Sequence, residues 1–181
     1  TLANIVAQES VSYLDVAVAN QLWETWQLSD AFTFEITKGL LRTDLVAKIL
    51  VINRCLEPCS HYSVPRWIKT TALPEILGEK VLELNDDKIY YELSKIQQNQ
   101  AAIENFLFKK TYEHNPRSYD YVNYDLSSSY FVGLKCKLSA YGRSKDGKSN
   151  CKQVVLALMV NSQGYPFKWD VFAGNLPEIH T

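Results

Sequence analysis

Apolar residues recur at helical steps from the start of the chain to about Tyr112, then change to strand-like spacing. Val11, Leu14, Val18 and Leu22 follow three- and four-residue steps and predict one helical stripe, with Trp23 and Trp26 adding bulk at its end. The segment from Thr43 to Glu57 is apolar on most sides, through Leu45, Val46, Ile49, Leu50, Ile52 and Leu56. Thr43 is placed to cap it and Pro58 to stop it, and a helix so apolar belongs at the centre of a bundle. Ser63 before Val64-Pro65 reads as another N-cap, because proline is tolerated in a first turn. Pro74 opens a short helix that Gly78 ends. Asn85 caps a helix with Asp86 and Asp87 in its first turn, where the helix dipole favours acids. The run Gln97-Gln98-Asn99-Gln100 breaks that helix from a last one carrying Ile103, Phe106 and Leu107.

Near Pro116 the pattern changes. Tyr119 to Phe131 is rich in aromatic and β-branched residues and predicts a strand. Gly133 to Asn150 reads as a long connection. Gln153 to Val160 is an unbroken apolar run of strand length, the pattern of a strand covered on both faces. Asn161-Ser162-Gln163-Gly164 is a turn, and Tyr165 to Phe172 a third strand. The order is therefore helices first, then an antiparallel meander, which makes the fold class α+β.

Composition adds a charge asymmetry. The 181 residues carry a formal net charge of -1. From Thr1 to Leu40, however, Glu9, Asp15, Glu24, Asp30 and Glu35 face only Lys38, a balance of -4. From Lys135 to Lys152, six bases face Asp146 alone, a balance of +5. That second cluster points to a polyanion. No apolar run approaches the ~20 residues that span a bilayer, so no membrane partner is expected. Four sparse cysteines argue against a disulfide framework and for a reducing cytosol. Cys55, Cys59 and His61 have part of a zinc ligand set, but a buried free cysteine is the commoner reading. Trp23, Trp26 and Trp67 read as core.

One carboxylate stands out. Asp125 lies inside the first predicted strand, where aspartate is depleted. The residues alone leave two readings open: a metal ligand held by a rigid element, or a surface acid on an edge strand beside a serine-rich turn.

Several segments carry a resemblance. They are Val51-Ile52-Asn53-Arg54-Cys55-Leu56-Glu57-Pro58-Cys59-Ser60, Val64-Pro65-Arg66-Trp67 and Ala72-Leu73-Pro74-Glu75-Ile76-Leu77-Gly78 in the helical half. In the second half they are Tyr124-Asp125-Leu126-Ser127-Ser128-Ser129-Tyr130-Phe131, Tyr141-Gly142-Arg143-Ser144-Lys145-Asp146, Lys152-Gln153-Val154-Val155 and Val171-Phe172-Ala173-Gly174-Asn175. In this order and spacing the chain resembles the DDE transposases of bacterial and archaeal insertion sequences. The resemblance implies a helical domain over 1–115, for DNA-end binding or assembly. It implies that 116–181 forms the first three antiparallel strands of a ribonuclease-H-like catalytic core.

By the same resemblance Asp125 is the first of three catalytic carboxylates and a ligand for Mg2+ or Mn2+ in the full-length enzyme. Ser127 stands where the family usually has threonine. The other two acids lie beyond Thr181, so this chain alone is expected to be inactive, with no metal tightly bound. Asp170 receives no metal role. Lys135, Lys137, Tyr141, Arg143, Lys145, Lys148 and Lys152 are the expected contacts to double-stranded DNA, at element ends and target. Arg54, Arg66 and Lys69 read as ordinary exposed charge. The alternatives are a non-catalytic DNA-binding or dimerisation module, or a nuclease of the same core fold. A partial sheet leaves an edge and an apolar face uncovered, so a homo-oligomer is expected. The implied location is the prokaryotic cytoplasm, on the nucleoid.

Overall fold

Local signals set most of the helix boundaries. The computed structural model describes residues 11–32, 41–131, 135–142 and 150–176. Helix α1 spans Leu14–Thr25 and closes at Gln27, whose φ of 51° lies in the left-handed region that ends many helices. A 3-10 turn, Leu28–Phe32, follows. Helix α2 is Thr43–Leu56, ended by the approach to Pro58. Its N-cap is Arg42, and the Thr43 hydroxyl makes no cap. That hydroxyl donates instead to Oε2 of Glu92 at 2.5 Å, because Thr43 is buried and faces the helix that carries Glu92. Helix α3 is Val64–Ile68 with Pro65 in its first turn. Ser63 precedes it without a capping bond and pairs with the Ser60 hydroxyl at 2.9 Å.

Helix α4, Leu73–Leu77, ends at Gly78, where φ is +91° and a side chain would be strained. A 3-10 turn, Glu79–Glu83, leads to α5, Asp86–Gln98. Asn85 caps α5 by accepting the Lys88 N–H at 2.9 Å. Asn99 alone separates α5 from α6, Gln100–His114.

The chain divides into two compact units, 1–103 and 104–181, with the division inside α6. In the first unit α2 is the central helix. Val46, Ile49 and Ile52 on it join Val16, Val64, Ile68, Leu73, Val81 and Ile89 in one buried cluster. Buried polar groups are paired. Lys48 meets Glu24 and Asn20, Arg42 grips Asp44 through two bonds of 2.9 and 3.0 Å, and Lys95 holds Glu92 at 3.1 Å. The apolar stripe of α1 exists but faces outward: Val11, Leu14, Val18 and Leu22 are exposed. The residues that α1 buries are Val16 and Trp23, two turns apart on a different side. Trp67 is buried as expected, and Trp26 is partly buried.

The second unit holds the 3-10 turn Pro116–Tyr119 and an antiparallel sheet of β1, Val122–Phe131, β2, Lys152–Asn161, and β3, Pro166–Ala173, in the order β1-β2-β3. The β1–β2 ladder runs unbroken from Val122↔Asn161 to Phe131↔Lys152. The β2–β3 ladder shifts register between Met159 and Val160. Among the described residues, the apolar run on β2 is buried on one face and part-exposed on the other. Val155 and Ala157 are buried, whereas Leu156, opposite Val171, is 39% exposed. Period-two alternation puts those residues on opposite faces.

Within the same unit, Phe108 and Tyr112 on α6 form an aromatic cluster with Tyr119 and Phe167, ring centroids 4.8–5.8 Å apart. The Thr111 and Tyr119 hydroxyls are hydrogen-bonded. Among the described residues, no helix is long and apolar enough to cross a membrane.

Candidate nucleic-acid interface

Asp125 lies midway along β1, opposite Leu158 of β2. Ladder partners share a face, so its side is that of Asn123, Ser127 and Ser129 on β1, with Leu156 and Leu158 behind them. The carboxylate is exposed, and its Oδ1 accepts the N–H of Leu126 at 2.9 Å. That bond shows which way the β1 backbone points. In an antiparallel ladder, N–H groups alternate between partner strand and open side. The Leu126 N–H is therefore on the free edge of β1, and Asp125 folds over it.

The same geometry appears on β3. There the Val171 N–H donates to Asp170 Oδ1 at 3.3 Å and the Trp169 N–H donates to Glu104 Oε1 at 3.2 Å. Asp170 pairs with Ala157, which in turn lies opposite Leu126. Asp170 thus shares the face of Leu126 and lies across the sheet from Asp125. The two carboxylates cannot share one ion. Among the described residues, no three His, Cys, Asp or Glu side chains gather as a metal set.

The basic connection is anchored more firmly than a bare loop. Ala140 and Gln153 exchange two backbone bonds of 3.1 and 2.9 Å, so the chain before Tyr141 forms a bridge beside the start of β2. The Gly174 N–H donates to Leu138 O at 3.1 Å, and Gln153 Nε2 donates to Gly174 O at 2.9 Å. Gly142 and Gly174 permit this closeness. A Cβ on Gly142 would lie 1.9 Å from Gly174 O, and one on Gly174 would lie 1.9 Å from Gln153 O. Tyr141 therefore projects from a fixed point and is 62% exposed.

Lys135 and Lys137 are exposed, and Lys152 is partly so. Lys152 opposes Phe131, which puts it on the Asp125 face, six residues along the ladder or about 20 Å away. Arg143, Lys145 and Lys148 lie outside the described residues. Lys152 thus lies at the start of β2, and Asp125 at the middle of the edge strand β1.

The opposite face holds an open cavity of about 330 Å3. Tyr124, Met159, Lys168, Asp170 and Phe172 line it, over a floor that includes Ala157. Alternation along β3 would have set Lys168 and Asp170 on one side, but only the register shows that this side is opposite Asp125. In the helical unit, Cys55 is exposed, against the expected burial. It falls on the outward side of α2 beside Arg54 and Leu56. Cys59 receives the Asn53 Nδ2–H at 3.3 Å. His61 packs edge-on against Tyr90, and burial, then the Arg54 charge, lowers its pKa.

No protein-family profile, curated protein or solved structure matches this chain.

Proposed function

We propose that the chain is the N-terminal portion of a DDE-type insertion-sequence transposase, joining a helical region to the first strands of a ribonuclease-H-like core. The observation that carries this reading is the position of Asp125, exposed at the middle of a strand whose ten residues are all paired with β2. A strand fixes a ligand more accurately than a loop does. The motif order around it supports the same reading. Asp125 offers one hard oxygen ligand of the kind Mg2+ takes, with water and phosphate completing the shell. In the intact enzyme such ions assist in-line phosphoryl transfer. The other two carboxylates are assigned to sequence beyond Thr181. Within this chain Lys135, Lys137, Lys152 and Tyr141 meet DNA.

The test has two arms. Fluorescence anisotropy with duplex DNA across a salt series reads the interface. Binding should weaken with salt, and each of Lys135→Ala, Lys137→Ala and Lys152→Ala should reduce the log–log slope by about 0.9 if it contacts a phosphate. Salt-independent binding, or none, would defeat the DNA assignment. The protein extended by its downstream reading frame reads the chemistry. Asp125→Asn should abolish joined DNA products in Mg2+ while leaving duplex affinity unchanged.

A second reading, a binding or dimerisation module, draws on the uncovered face around Leu156 and Val171. A chain that stays monomeric by light scattering as its concentration rises would count against it.

A further inference from the structure

Among the described residues, helix α1 leaves its apolar row exposed. Leu14, Val18 and Leu22 are 74%, 50% and 57% exposed, spaced by four residues along one side of the helix. Val51 and Leu56 on α2 are exposed as well, and Cys55 lies between them. These two rows are the walls of a groove of about 700 Å3, with Trp23 and Ile52 buried in its floor. Single exposed apolar residues are ordinary on a protein surface, but a contiguous apolar groove marks an interaction site. From Leu14 to Leu22 the wall runs about 12 Å, or slightly more than two helical turns.

Charge and shape select the occupant. Residues 11–32 carry Asp15, Glu24 and Asp30 and no lysine or arginine. Asp15 itself lines the groove. Glu24 is half exposed even while paired to Lys48. On the other wall Arg54 is offset by Glu57, both exposed. A second copy of the same surface would bring acid against acid, and an anionic membrane would be repelled in the same way. The walls are helices whose backbone groups are already bonded, so they offer no edge for an added strand. Affinity must come from apolar anchors at helical spacing.

We infer that the α1–α2 groove docks the apolar face of an amphipathic helix whose flanks are basic. Anchors at i, i+4 and i+7 or i+8 of that helix fill the channel between Leu14, Val18, Leu22 and Val51. Its lysines or arginines reach Asp15, Glu24 and Asp30. This site is independent of the sheet and of the function proposed for it.

The probe is a synthetic helix of about 16 residues with leucine at heptad positions and lysine elsewhere, beside a twin with glutamate in place of lysine. Anisotropy measures each against the whole chain and two variants. One variant is Leu14→Ser/Val18→Ser/Leu22→Ser, which alters exposed positions and is checked for native circular dichroism. The other is Asp15→Asn/Asp30→Asn. The lysine helix should bind the wild-type chain, and the serine variant should bind at least about tenfold more weakly, the scale of lost interface anchors. The asparagine variant should lose about threefold at low salt, the size of exposed charge pairs. The glutamate twin should bind more weakly than the lysine helix. Equal binding to wild type and the serine variant overturns the inference, as does equal binding of the two helices. So does a wild-type chain that dimerises in sedimentation where the serine variant does not, since the occupant is then a second copy.

Discussion

The helical unit and the sheet unit bury different kinds of residue. Within 11–103 the interior is mostly apolar: Val46, Ile49, Ile52, Ile68, Leu73 and Ile89 are shielded from water almost completely, and a minority of buried polar groups such as Lys48 and Glu92 sit among them. Within 104–176 the buried set is largely polar, with Thr111, Ser118, Ser139, Gln153 and Asn161 beside Val155 and Ala157. Transfer of apolar area stabilises the first unit. The second relies more on hydrogen bonds among its buried polar groups, because its described residues bury little apolar area. Asn161 shows how this is done. Its Nδ2 donates to Ser118 Oγ at 2.8 Å, and its Oδ1 accepts the N–H groups of Gln163 and Tyr165 at 3.1 and 3.0 Å. One side chain thereby closes the turn from β2 to β3 and ties it to the end of the 3-10 turn.

Substitutions sharpen this contrast, and the largest effect is expected in the aliphatic core. Ile49→Ala should cost about 2–5 kcal/mol in urea denaturation, from lost transfer energy plus a cavity. If it cost less than Asn161→Ala, the contrast between the units would fail. Asn161→Ala removes the acceptor of the Gln163 and Tyr165 N–H groups and the donor to Ser118 Oγ, whose own bond to Asn115 O remains. It should cost about 1–3 kcal/mol, with loss of hydrogen-exchange protection confined to β2 and β3. Asp125→Asn should shift stability by less than about 0.5 kcal/mol, as expected of an exposed position, so any functional loss from it reflects chemistry rather than folding.

The smallest effect concerns His61. Burial and Arg54 hold its pKa below the ordinary histidine value. The unfolded chain therefore takes up the proton first. The His61 contribution is complete above about pH 6.5 and is lost as pH falls toward the folded pKa. Comparing wild type with His61→Gln by thermal melts between pH 7.5 and 5, the wild type should lose slightly more stability on acidification.

Helix ends were readable because their causes are local: Pro65, Pro74, Gly78 and Asn85 act within a few residues of themselves. Which side of α1 would be buried was not readable. Its sequence offers two apolar sides, and only packing against α2 chooses Val16 and Trp23 over Leu14, Val18 and Leu22. The strand order and the strand setting of Asp125 followed from alternation and turn residues. The opposition of Asp125 and Asp170 needed the register of two ladders, which no single strand contains. Thr43 misled for a related reason. Its partner, Glu92, is 49 residues away, beyond any capping rule.

The pairing of Ala140 with Gln153 divides the connection between β1 and β2 into two shorter lengths of chain. Insertions after Gly142 lengthen only the second, and each doubling of a flexible loop costs about 0.6 kcal/mol in closure entropy. The tyrosine beside the tether keeps its place whatever happens downstream. Sequence change after Gly142 can thus alter the length of the connection while the β1–β2 ladder keeps its register.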